Sequence, residues 1–244
     1  MRKILKNTIL TTLILTLTVS TALLVYLHFF APDDNDLSGE WVTELDITEQ
    51  AVVTAYAWLQ DIEAVTVSLE DVGAHMPELT VQVNLVMEQS SQSEGTFSSN
   101  VLPESYAVCE HAAYEAFAGA FRELLTERLR MAGYTGGTDE ETVERLVIET
   151  FGMPTVSYLM SYGPDLLPAL EELQAEYDGS GVYAVTDDIL TRQYESGRPG
   201  IVREERFVRK DSSLILSEDT GAAIPGLFSD HYPILYTLKR TQVN

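Results

Sequence analysis

Chemistry on a protein needs particular side-chain types at particular spacings, and this chain offers few. Its histidines are His28, His75, His111 and His231, none with a second histidine or a cysteine at metal-ligand spacing. Cys109 is the single cysteine, and it falls on a helical pattern near Val108 and Ala112, the setting of a buried structural thiol rather than a nucleophile. The 38 acids are so plentiful that pairs of carboxylates carry no signal for acid–base work. There is no Gly-x-Ser-x-Gly elbow, phosphate loop or dinucleotide fingerprint. Gly133-Tyr134-Thr135-Gly136-Gly137 reads as a helix-ending loop, since no strand precedes it and no lysine follows in place. The expectation is a protein that is not an enzyme and carries no metal and no cofactor.

Charge narrows the partners. No acid lies in the first thirty residues, so residues 31 to 244 carry 38 acids against 12 bases, a net −26. Not one Lys or Arg occurs between Lys6 and Arg122. Such a charge argues against nucleic acid or an anionic membrane surface as a partner. A lone cysteine also excludes a disulfide within the chain, so packing must hold the fold.

The N-terminus supplies an address. Arg2, Lys3 and Lys6 precede an uncharged run from Thr8 to Phe30, and Asp33, Asp34 and Asp36 follow it. As a helix that run would reach roughly 34 Å, enough to cross a hydrocarbon core of about 30 Å. The flanking charges place the N-terminus in the cytoplasm and the rest outside. The expected organisation is a basic tail at 1–7, a transmembrane anchor at 8–30, a linker at 31–37 and an extracytoplasmic domain at 38–244 of a single-pass cell-membrane protein. The alternative is a cleaved signal peptide, with Ser20-Thr21-Ala22 as a small-x-small site. Against it, the run is longer than a secretory apolar core of about 7 to 15 residues. Thr8, Thr12, Thr16 and Ser20 share one helix face, either to meet a second membrane helix or to bond back to their own carbonyls.

Beyond the linker, Trp41 to Ile47 alternates as a strand, and Thr48 caps a helix whose apolar side is Val52, Val53, Tyr56 and Leu59. Leu79 to Met87 is a clean strand, turned by Gln89 to Gly95 into a partner at Thr96 to Val101. Pro103 opens a helix running to about Met131, on which Ala113, Phe117, Phe121, Leu124 and Leu125 follow a 3.6 period. Thr138-Asp139-Glu140-Glu141 reads as a capping box for a second helix. Pro154 and Pro164 break the next stretch, and Leu166 to Tyr177 reads as a last helix. Strands then return at 182–185, 189–194, 206–209, 214–217 and 233–240.

The fold class expected is α+β: an antiparallel up-and-down eight-stranded β-barrel with a helical insertion at 104–178, preceded by a transmembrane helix. Closure would set the first strand against the last, where Glu40 meets Lys239 and Arg240.

With that strand count, Gly39-Glu40-Trp41 resembles the Gly-x-Trp that opens the lipocalin-like (calycin-type) β-barrels, here in a bacterial envelope protein with a helical insert. The match covers about residues 38–102 and 179–244. A Thr-Asp-Tyr-like second motif is missing, there is no disulfide, and the insert is foreign to lipocalins proper. The resemblance implies that Trp41 closes one barrel end beneath a basic residue, Arg240 or Lys239. It also implies a cavity for a small apolar ligand, with Val83, Leu85, Tyr183, Tyr194 and Tyr236 as lining and Arg192 as an anion partner; ordinary core packing accounts for the same residues. The other function class is an envelope protein-interaction module using the acidic helical insert. A cavity of about 300 Å³ inside the barrel would favour the ligand. A filled barrel beside an exposed apolar patch on the insert would favour the protein partner.

Overall fold

A computed structural model describes residues 21, 36–61, 68–218 and 232–239. The expected anchor, Thr21 apart, lies outside the described residues, as do Arg240, His28 and His231. Among the described residues no helix is long and apolar enough to cross a membrane. Leu37–Asn244 forms one compact unit.

Eight antiparallel strands close into a barrel in simple chain order. They are β1 Gly39–Asp46, β2 Thr80–Gln89, β3 Glu94–Val101, β4 Gly179–Thr186, β5 Ile189–Ser196, β6 Val202–Lys210, β7 Ser213–Glu218 and β8 Ile234–Leu238. Period-two alternation decides what faces in: Trp41, Thr43 and Leu45 on β1, and Val81, Val83, Leu85 and Met87 on β2, are all buried. The closing seam pairs Trp41 with Leu238 and Val42 with Thr237. Beside it the Lys239 amide donates to the Glu40 carbonyl at 2.8 Å, and Lys239 Nζ reaches Glu40 Oε1 at 2.6 Å. The charge match expected from sequence therefore forms, with Lys239 as the cation.

Among the described residues, two connections carry helices. Between β1 and β2 lie α1 Thr48–Asp61 and α2 Leu69–His75; between β3 and β4 lie α3 Pro103–Met131, α4 Glu140–Phe151, α5 Thr155–Tyr162 and α6 Leu170–Tyr177. In an up-and-down barrel both connections leave from the same end. The helices accordingly share one apolar core with that end's inward residues Leu45, Val81, Val83 and Val101. Ala113, Phe117, Phe121 and Leu124 of α3 are buried in it. Hydrophobic stripes on the helices are thus satisfied by capping the barrel.

Several boundaries differ from the pattern reading. The first helix buries Ala51, Ala55 and Leu59 with Val52 and Tyr56 packed against the same core, while Val53, expected on that side, is 48% exposed. Asp139, not Thr138, caps α4 by accepting from the Thr142 amide at 3.1 Å. The last insert helix starts at Leu170 rather than Leu166. Leu166 and Leu167 are buried in irregular chain ahead of Pro168, which favours extended geometry before it. Sequence reading also missed α2, whose N-terminus is fixed by a Ser68–Asp71 capping box.

Candidate functional site

The end of the barrel away from the helices is shut by Trp41. Its ring is wholly buried, and its indole Nε1 donates to the Leu37 carbonyl at 2.8 Å. Among the described residues, the Arg209 guanidinium lies 5.9 Å from the ring centroid, while Lys239 turns to Glu40. The sequence reading started the strand at Arg206, so the inward set Arg203, Glu205, Phe207 and Arg209 on β6 was not visible as one face.

Above Trp41 the described inward side chains pack against one another. Leu85, Tyr183, Tyr194 and Tyr236 pack in one core with Met87, Phe97, Leu190, Phe207, Leu214 and Leu216. Val83, expected beside them, belongs instead to the core shared with the helices. Cavities of about 640, 600 and 580 Å³ lie at the β1–β8 seam, beside α3 near His75 and Thr138, and around Tyr106 and Tyr114. None is lined by Leu85, Tyr183, Arg192, Tyr194 or Tyr236.

Arg192 points into this interior with its charge already met. Its Nε and Nη2 donate to the two oxygens of Glu205, each at 2.7 Å, and both side chains are at most 3% exposed. Tyr232 donates to the same carboxylate, and Arg203 donates to Tyr232. Burial works against the Glu205 carboxylate, but Arg192, Arg203 and the Tyr232 hydroxyl hold its pKa below the usual carboxylate range. Burial likewise opposes the Arg192 cation, and Glu205 overrides it. Arg192 also lies 5.5 Å from the Phe97 ring centroid and 5.9 Å from that of Tyr194. Arg198, in the β5–β6 turn, stacks on Tyr194 at 4.3 Å. Glu205 is a charge on an inward strand position, which apolar-in patterning reads past.

Cys109 is buried on α3, and burial pushes its thiol up to about 11, the property of an unreactive structural cysteine. Among the described residues no group of three or more His, Cys, Asp or Glu is arranged to hold a metal ion.

The insert carries the other feature. Trp58 and Phe121 lie 5.9 Å apart, Phe121 and Tyr158 6.3 Å, Phe151 and Tyr158 4.4 Å, and Tyr158 and Tyr162 5.5 Å. This line of rings runs from the packed helices to the surface of α4 and α5. There Phe151 is 43% exposed and Tyr162 65%, with Ile148 exposed about one turn before Phe151 and Met160 exposed on the other flank of α5. Helix α5 reads TVSYLMSY, with no charge at all. Its inner positions Thr155 and Leu159 are wholly buried, and Thr155 is tied to Glu144 of α4 through both its amide (2.9 Å) and its hydroxyl (2.6 Å). The platform is therefore fixed from beneath. The residues were in the sequence, but which face of α5 stays outside depends on how it leans on α4.

An eight-stranded closed antiparallel barrel with helical insertions is the class of structure this chain forms. Comparison with family models, characterised proteins and solved structures finds no match for the chain.

Proposed function

We propose that this is a lipocalin-like barrel, held at the outer face of a cell membrane by its N-terminal apolar run, that works as a non-enzymatic protein-interaction module through its helical insert. The observation that carries the reading is the contrast between the two candidate sites. The barrel interior is occupied by its own aromatic and aliphatic side chains and by an internally neutralised Arg192–Glu205 pair, whereas the insert presents Phe151, Tyr162, Ile148 and Met160 to solvent. Exposed aromatic groups on a rigid support are what interface anchors are made of. The Gly39-Glu40-Trp41 opening and the buried Trp41 support the lipocalin-like part. The basic flank, long apolar run and acidic exit support the address.

The test is a photo-reactive phenylalanine analogue placed at position 162 of the full chain in its own host. The expected result is one discrete cross-linked protein, lost when Phe151→Ser is added and absent when the analogue sits at Val202 on the outer barrel wall. Equal labelling from both positions, or none from position 162, contradicts the reading.

A further inference from the structure

The insert's surface also says what chemistry would sit on it. We propose that the platform of α4 and α5 takes a cationic amphipathic segment of another protein, an inference that rests on the docking role given to the insert above. Three exposed apolar side chains make the centre: Ile148 and Phe151, three apart on α4, and Tyr162 on α5, whereas Met160, two residues from Tyr162, lies on the other flank of its helix. Phe151 and Tyr162 both rest on Tyr158, so two of these anchors are already ordered and lose little freedom on binding.

The rim is negative. Glu141 shares its helix face with Ile148 seven residues on, Glu149 follows, and Asp165 lies just past Tyr162, all exposed, against one exposed cation on α4 and α5, Arg145. The whole insert, residues 104–178, carries fifteen carboxylates and four arginines, a net −11. An apolar centre inside an anionic rim is complementary to a helix or strand with apolar anchors on one face and Lys or Arg beside them. The same field repels an anionic lipid surface, which leaves a protein segment as the occupant.

The test uses the full chain in zwitterionic nanodiscs, with protein-free discs as the reference. The probes are a fluorescein-labelled eighteen-residue amphipathic peptide of Leu and Lys and its Leu and Glu counterpart. Expected results are at least tenfold tighter binding of the Lys peptide and at least a tenfold loss in Tyr162→Ser and in Phe151→Ser/Tyr162→Ser, which leave the charge untouched. Val202→Ser/Val208→Ser on the barrel wall should bind as the parent does. Because Tyr162 is the most exposed member, its single variant keeps the test valid if the double variant unfolds. Equal binding of both peptides, or a Lys peptide indifferent to Tyr162→Ser, overturns the proposal. Recruitment of the full chain to anionic vesicles through Phe151 and Tyr162 overturns it as well. A cross-link from position 162 to a partner segment without basic residues would leave the docking role standing and remove the cationic partner.

Discussion

Arg192 and Glu205 lie diagonally across β5 and β6 inside the barrel, joined by two hydrogen bonds of 2.7 Å, so the Arg192 charge is met by the protein's own carboxylate. Removing one partner strands the other in a dry interior, at a cost of about 3–5 kcal/mol, whereas an apolar replacement of both restores much of the loss. Glu205→Gln and Arg192→Met should each lower the melting temperature of the full chain, and Arg192→Met/Glu205→Leu should recover much of it. Calorimetry of the three variants is decisive; additive losses would contradict the pairing.

The same pair sets an acid limit. Glu205 and Glu144 both have folded pKa values held below the ordinary carboxylate range, the first by arginines and Tyr232 against burial, the second by Thr155 and Arg122 against burial. Such groups contribute stability that is complete above the unfolded pKa of about 4.3 and lost as pH falls below it. Denaturant midpoints should be flat in this respect from neutrality to about pH 5 and fall beneath pH 4. Glu205→Gln should flatten that acid limb; an unchanged limb would show that the carboxylate is not paired in solution.

Much of the barrel was legible before the structure, and the reasons are local. Leu79 to Met87 alternates so cleanly that its register against β1 admits one face only. The long α3 announced itself through Pro103 and the spacing of Phe117, Phe121 and Leu124. The candidate site was less visible. Arg203, Glu205, Phe207 and Arg209 alternate, but two arginines and a glutamate on the inner face look like a solvated edge until Arg192 is seen opposite. Arg209 beside Trp41 depends on barrel closure bringing β6 near β1, which no linear spacing encodes.

The two tryptophans should respond differently to truncation. Trp41→Ala removes a wholly buried ring and its bond to Leu37 and should cost about 3–5 kcal/mol. Trp58 is half-buried and packs against Phe117 at 5.6 Å and Phe121 at 5.9 Å. With each ring contact contributing about 0.5–1.5 kcal/mol, Trp58→Ala should cost less, roughly 1–3 kcal/mol. Urea unfolding of both variants separates them; equal losses would remove Trp41 from its barrel-closing role.

Backbone approach makes a further prediction. A Cβ on Gly181 would lie 1.9 Å from the Gln193 carbonyl oxygen, at the register shift between β4 and β5. Gly181→Ala should therefore destabilise by about 1–3 kcal/mol through forced displacement of backbone. Gly73 in α2 meets nothing closer than Val52 at 3.8 Å, and Gly73→Ala should stabilise by about 0.4–1 kcal/mol. Thermal melts of the two variants should move in opposite directions, and a neutral Gly181→Ala would refute the β4–β5 register.

The proposed function has the partner meet this molecule on the outside of the insert rather than in the barrel. Native mass spectrometry of the full chain, purified gently from its own host, tests that most directly. The predicted result is a barrel without a stoichiometric small molecule, carrying a second polypeptide whose peak disappears in Phe151→Ser/Tyr162→Ser. A small apolar molecule bound one per chain, released on activation and unaffected by those substitutions, would contradict it and return the function to the barrel interior.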